Sequence, residues 1–216
     1  MVYYDITQEQ LIQMVTEAVL LEIKKAGSNV VPTGISVRHI HLTREHVDYF
    51  FGRNYQLTPR KQLSQPGQFA CEETLDLIGR KGSIKKVRIL GPERNKSQVE
   101  VSITDARMLG IEAVLRSSGD VEGTPGITLR GPEGLLVLNE GVIVADRHIH
   151  MTSADARRFG VKDGQRVRVQ VEGQKPGIMD GVVIRVSDRY RLDFHVDTDD
   201  GNAFMLSQGQ LVTILK

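Results

Sequence analysis

Apolar and polar residues alternate with a period of two over much of this chain, in short runs cut by glycine and proline. The runs are TLDLIG, KKVRIL, SQVEVSI, GITLRG and LLVLN in the middle, and RVRVQVEG, GVVIRVS, RLDFHVD and LVTILK toward the end. This pattern predicts half-buried strands, and strands so short and so regularly interrupted point to small barrels or sandwiches. One segment has the helical period instead. In residues 7–26, TQEQLIQMVTEAVLLEIKKA, the residues Leu11, Met14, Val15, Ala18 and Leu21 share a face. Thr7 and Gln10 form a capping box, Ile6 and Leu11 can staple the start, and Gly27 follows Lys24 and Lys25 at the end. The next stretch, SNVVPTG, reads as a linker. Residues 1–27 are thus an amphipathic helix that either docks on its own core or serves targeting or assembly.

Two near-copies stand out inside the strand pattern. ISVRHIH reads as a strand, Thr43 as the N-cap of a short helix REHVDYF, and Gly52 as its end. GVIVADRHIH reads the same way, with Thr152 capping SADARRF before Gly160. Residues 53–68 are polar and loop-like. Laying GPERNKSQVEVSITD (91–105) over VSDRYRLDFHVDTDD (186–200) brings Arg94 onto Arg189, Val101 onto Val196, Asp105 onto Asp200 and Glu100 onto His195. The chain reads as a diverged internal duplication.

The duplicated unit spends four of the six histidines on two HxH motifs. Residues i and i+2 of a strand face the same way, about 6.5–7 Å apart, so His39 with His41 and His148 with His150 can each converge on one ion. Ile40 and Ile149 then point into the core. Glu100 completes a His₂Glu set and His195 a His₃ set, both with an open position that suits catalytic zinc better than structural zinc. A solvated strand face accounts for Glu100 equally well, since Val99 and Val101 form the opposite face. His46 reads as a solvated helix residue. Arg94, in the GPERNKS turn, is suited to bidentate phosphate or carboxylate recognition, or is simply turn-exposed. Lys81, Lys85, Lys86 and Arg88 could hold phosphates of a nucleotide tail or form the polar face of an edge strand. Neither a P-loop nor a dinucleotide fingerprint is present.

Composition narrows the class. The 28 basic and 27 acidic residues nearly cancel, which argues against a basic-patch nucleic-acid binder or a membrane-surface protein. No apolar run is long enough to span a bilayer, and the N-terminus lacks the pattern of a secretory signal. The single cysteine, Cys71, suggests a reducing interior and reads as a small, partly buried apolar residue.

VPTGISVRHIHLTREHVDYFFG, FACEETLDLIGRKG, GPERNKSQVEVSITDARMLG and RHIHMTSADARRFGVKDGQRV resemble the PduL-type phosphate propanoyltransferases, a family of phosphotransacylases, over roughly residues 30–216. The resemblance implies a mainly β fold with short α-helices, built as two interleaved barrels. Residues 28–37 and 146–216 would form the barrel with the second HxH, and residues 38–145 the barrel with the first. It implies two zinc ions per chain, one on His39, His41 and Glu100, the other on His148, His150 and His195. Arg94 matches the family's phosphate-binding arginine. Coenzyme A contacts would fall at the backbone of Ile35, Ser36 and Val37, and at Lys81, Arg88 and Asn202. The implied reaction is reversible transfer of a short acyl group, propanoyl or acetyl, between coenzyme A and phosphate, and the family links it to propanediol degradation.

The N-terminal helix resembles encapsulation peptides, which implies a bacterial microcompartment lumen or the cytoplasm, with shell or core proteins as partners. A homo-oligomer is expected, with no nucleic-acid or membrane partner. Two other readings of the residues stay open: a zinc hydrolase using the same open sites, and a non-enzymatic, metal-stabilised microcompartment scaffold. The hydrolases that use HxH on a large βα barrel need long alternating helices, which this chain lacks.

Overall fold

The computed structural model of the chain describes residues 7, 8, 10–17, 29–112 and 114–215. Residues 10–17 are helical. The predicted capping box is made: the Thr7 amide donates to Gln10 Oε1 (3.0 Å) and the Gln10 amide to Thr7 Oγ1 (3.2 Å). The rest of that predicted helix, residues 18–26, with Ile6 and Gly27, lies outside the described residues.

Beyond that helix, the described elements start with β1 (Val30–Ser36), β2 (His39–His41) and α1 (Arg44–Phe51). It continues with β3 (Pro59–Gln62), β4 (Phe69–Ile78), β5 (Ser83–Gly91), β6 (Gln98–Glu100) and α2 (Ile103–Leu109). Next come β7 (Leu115–Arg116), β8 (Ile127–Gly131), β9 (Gly134–Leu138), β10 (Val142–Ala145), β11 (His148–Met151) and α3 (Ser153–Phe159). The last elements are β12 (Arg166–Val171), β13 (Gly177–Val186), β14 (Asp193–Asp197), α4 (Thr198–Ala203) and β15 (Leu211–Leu215).

The fold is mainly β, as the alternation predicts, and divides into two sheets. One is a closed barrel in the order β1-β14-β11-β13-β12-β15; the other is an open sheet in the order β7-β10-β6-β2-β5-β4-β8-β9, with β3 on β4. Each wraps its own core. Ile40, Phe50, Leu75, Leu77, Ile89 and Leu129 fill the first, and Ile149, Phe159, Val169, Ile184, Phe194 and Ile214 the second. Each such side chain contributes about 1.5–3 kcal/mol on burial, so two separate cores of this size can each hold a sheet.

The sequence repeat is also a topological repeat. β2 lies between β5, parallel to it, and β6, antiparallel, with His39 opposite Glu100. β11 lies between β13, parallel, and β14, antiparallel, with His148 opposite His195. The arginine that opens each hexapeptide meets the aspartate that the alignment paired. Arg38 Nε lies 3.0 Å from Asp105 Oδ1, and Arg147 Nε 3.7 Å from Asp200 Oδ2.

Several expectations need correction. SNVVPTG is not a linker from Val30 onward, because Val30–Gly34 belong to β1, which pairs with β14 and β15. ISVRHIH and GVIVADRHIH are not continuous strands. Each breaks just before its HxH, at Val37–Arg38 and Asp146–Arg147, because there the chain leaves one sheet for the other. The exchange is reciprocal: β1 precedes the first HxH but sits beside β14, while β10 precedes the second and sits beside β6. The loop of residues 53–68 contains β3. α2 and α4 were not anticipated, although Ser102 and Asp105 form a full capping box and Gly110 ends α2 at φ 71°. A β-carbon at Gly110 would also strike the Lys81 side chain at 2.6 Å.

Both predicted HxH helices are capped as expected. The Thr43 hydroxyl accepts from the His46 amide, and Thr152 and Asp155 form a reciprocal box. His46 itself is not simply solvated, being half-buried with Nδ1 2.7 Å from Ser97 Oγ.

Candidate metal centre

The two crossovers set the site. Where β1 ends and β2 begins, the exposed Val37 turns its carbonyl onto His39 Nδ1 (2.8 Å); where β10 ends and β11 begins, the Asp146 carbonyl meets His148 Nδ1 (2.7 Å). A carbonyl only accepts, so each ring carries its proton on Nδ1 and turns Nε2 into the cluster. Ile40 and Ile149 are fully buried beneath, so both histidines of each motif face out of the core into one cleft. That cleft, about 830 Å³, is lined from both sheets by His39, His41, Glu100, His148, His150 and His195.

In the first cluster the potential ligand atoms of His39, His41 and Glu100 lie within 4.8 Å of one another. His39 Nε2 is 3.5 Å from Glu100 Oε2, and His41 Nε2 is 3.9 Å from Oε1. Glu100 is buried, which rules out the solvated-face reading. Burial alone would raise its pKa, but the charges of His39 and His41 and hydrogen bonds from His39 and Ser118 hold it well below the usual carboxylate range. Burial pulls His39 down, yet Glu100 and the Val37 carbonyl lift it above its ordinary value. His41 is held well below its ordinary value by burial, then by His39 and Arg94.

The second cluster gathers His148, His150 and His195, again within 4.8 Å. It contains no carboxylate of its own. Burial and the neighbouring imidazoles push His148 down to about 4 and His150 down to about 2, so these two offer neutral imidazole at neutral pH. His195 is turned the other way from His148. Its Nε2 donates to Asp193 Oδ2 at 2.9 Å, which leaves Nδ1 for the cluster. Gly34, opposite His195 on β1, makes room for this pair: a β-carbon there would come within 3.0 Å of Asp193 Oδ2 and 3.1 Å of His195 Cδ2. Tyr190 stacks on the His150 ring at 4.2 Å, and both His150 nitrogens are buried without a hydrogen-bond partner.

Buried polar atoms are normally paired, so His150 is the observation that tests a metal here. Three convergent imidazoles, one with both nitrogens unpartnered and two held by acceptors on their outer nitrogens, fit an open zinc site. His₂Glu fits one equally, and His41 Nδ1 is likewise unpartnered.

Arg94 enters from the turn after β5. Its backbone amide donates to the Leu42 carbonyl (2.8 Å), which ties the turn to the end of the first HxH segment. Its Nη1 donates to Ser118 Oγ (3.1 Å), while that hydroxyl donates to Glu100 Oε1 (2.7 Å). Gln98 Nε2 donates to the same Glu100 oxygen at 2.6 Å. Arg94 is half-buried in the cleft, with its pKa lowered by burial and then by Arg185.

Of the residues expected at coenzyme A, Ile35, Ser36, Val37 and Arg88 line this cleft, with Lys61, Lys85 and Lys86 beside them. Lys81 lies in a separate depression with Arg80 and Arg107, and Asn202 is an exposed residue of α4 outside the cleft lining. Cys71 is fully buried, and burial and then Glu73 push its thiol up to about 12, so it offers no thiolate. Sequence reasoning missed Ser118, Asp193, Tyr190 and Arg185. Only Asp193 carried a signal, since DFH repeats the i, i+2 spacing of HxH. Ser118 comes from a loop.

Comparison with known proteins finds relatives along most of the chain. A family model described as phosphate propanoyltransferase matches residues 32–207. Phosphate propanoyltransferase of Thermotoga maritima is 48% identical over 94% of this chain and 100% of its own length. The proteins of that name from Enterococcus faecalis and Clostridioides difficile are 48% and 46% identical over 94% and 96% of this chain, and over 96% and 99% of their own lengths.

Proposed function

The chain belongs to the phosphate propanoyltransferase family of acyltransferases, and from that premise we propose that it transfers a short acyl group reversibly between coenzyme A and phosphate, using two zinc ions. Propanoyl is the expected group and acetyl the near alternative, because one methylene in an apolar pocket discriminates by only about 1–3 kcal/mol.

The observation that carries this reading is Arg94 hydrogen-bonded through Ser118 to Glu100, which unites an anion-binding guanidinium with the first ligand cluster. His39, His41 and Glu100 would hold one zinc ion, and His148, His150 and His195 the other. Zinc at such open sites supplies Lewis-acid polarisation of a carbonyl and stabilisation of a thiolate.

Arg94 holds phosphate so that one oxygen faces the thioester carbonyl carbon. A C–O bond forms as the C–S bond breaks, and coenzyme A leaves as the thiolate. The Ser118 hydroxyl is committed to Glu100 and Arg94, and the buried Cys71 thiol is unsuited to carry an acyl group. Positioning and charge stabilisation then account for most of the rate. The rim lysines Lys61, Lys85 and Lys86, with Arg88, suit the phosphates of coenzyme A.

In the N-terminal helix, Leu11, Ile12, Met14 and Val15 are all more than half exposed, which supports an encapsulation role in a microcompartment. Among the described residues no helix is long and apolar enough to cross a membrane.

The test is release of coenzyme A from propanoyl-CoA. Release that requires added phosphate and yields propanoyl phosphate is expected; release without phosphate means hydrolysis and overturns the assignment.

A further inference from the structure

The strand beside each HxH differs between the halves at one informative position. On β5, parallel to β2, Arg88 lies opposite His39, and continuing that register brings Leu90 beside His41. On β13, parallel to β11, Val183 lies opposite His148 and Arg185 opposite His150. The equivalent of Leu90 in the second half is therefore an arginine. Paired residues of neighbouring strands project from the same face, so Arg185 leaves the barrel on the side of His150, into the cleft it lines with Arg94.

The two strand arginines do different work. Arg88 Nη1 is engaged by the Cys71 and Glu72 carbonyls at 2.9 and 2.7 Å. Among the described residues no carboxylate or carbonyl hydrogen-bonds or ion-pairs with Arg185, although it is only half exposed. A guanidinium beside three imidazoles works against holding a cation, since like charges in a partly desolvated cleft repel. It lines the same cleft as Arg94, His148 and His150. A site built only for a metal gains nothing from that arrangement, whereas one that must also take a doubly charged anion does.

We propose that Arg185 is a second phosphate-holding residue, which with Arg94 forms a two-guanidinium clamp on the phosphate substrate, one arginine from each half of the chain. This rests on the transferase reading above. Because Arg185 stands beside His150, the clamp places the phosphate at the His₃ cluster and leaves the rim for coenzyme A.

The experiment compares wild type, Arg185→Ala and Arg185→Lys as full-length, zinc-loaded protein. Calorimetric binding of inorganic phosphate is measured without acyl-CoA, and steady-state kinetics are measured against phosphate and against propanoyl-CoA. Arg185→Ala is expected to weaken phosphate binding and raise the phosphate KM by roughly 10–100-fold, the range for loss of a charge-assisted hydrogen bond. The KM for propanoyl-CoA and the zinc content stay unchanged, and Arg185→Lys recovers part of the loss as a point charge without the fork. Unchanged phosphate binding overturns the proposal. So does a rise confined to the propanoyl-CoA KM, or zinc loss from both variants. If wild type binds phosphate but releases coenzyme A without it, the transferase reading falls, and the calorimetric comparison still decides Arg185.

Discussion

The first HxH cluster carries a counter-charge within its own ligand set, and the second does not. In the first, Glu100 sits between two imidazoles and is fixed by Ser118 and Gln98. In the second, three imidazoles face one another, the Asp193 carboxylate stands behind His195, and Arg185 adds positive charge. The hexapeptides RHIHLT and RHIHMT are nearly identical, so the difference comes entirely from neighbouring strands: β6 against β14, and β5 against β13. An ion on the first cluster would leave a partly neutralised site. One on the second would leave a strongly positive site, where an anionic substrate has most to gain.

The sharpest way to break this contrast is His150→Ala. It is expected to remove one bound ion of two and to cost more activity than the roughly 10–100-fold typical of changes outside the ligand shell. Metal analysis beside the coenzyme A release assay checks it, and two ions retained would show that His150 is not a ligand.

Asp193→Asn should act more mildly and on one side only. Loss of the carboxylate behind His195 is expected to weaken the second site for zinc by roughly 10–100-fold while the first is unchanged. A chelator competition titration resolves the two sites, and equal weakening of both would dissolve the asymmetry.

The smallest expected effect concerns Cys71, in the core of the first sheet. With its pKa pushed up to about 12, the thiol stays protonated at pH 8 and should not react with a thiolate reagent. After unfolding it titrates near its ordinary value of about 8.5 and labels readily. Because Ser118 and Gln98 hold Glu100 without a metal, chelation should leave labelling slow. Rapid labelling on chelation would mean that the first half depends on its metal after all.

Much of this site was legible in the sequence because its signal is short-range. HxH on a strand, the capping residues Thr43 and Thr152, and the match of Glu100 with His195 all follow from spacing. The breaks at Val37–Arg38 and Asp146–Arg147 were not legible, because the alternation of apolar and polar residues runs on while the chain changes sheets. Arg185 was hidden for a related reason: in GVVIRVS it looks like any polar residue on a strand face, and only the register beside His150 gives it a role. α2 is a different case, since Ser102, Asp105 and Gly110 mark it plainly, but the strand pattern of SQVEVSI ran into it.

The reciprocal placement of β1 and β10 bears on how the protein is born. The first sheet is built from β2 to β10 and is complete once residue 145 has emerged from the ribosome. The barrel cannot close then, because β1 needs β14 and β15 as neighbours, and both are made after the first sheet is complete. Such distant pairings slow folding, and until they form β1 is an open strand edge available to other chains. Among the barrel's strands, the one synthesised first is the one that waits longest for its partners.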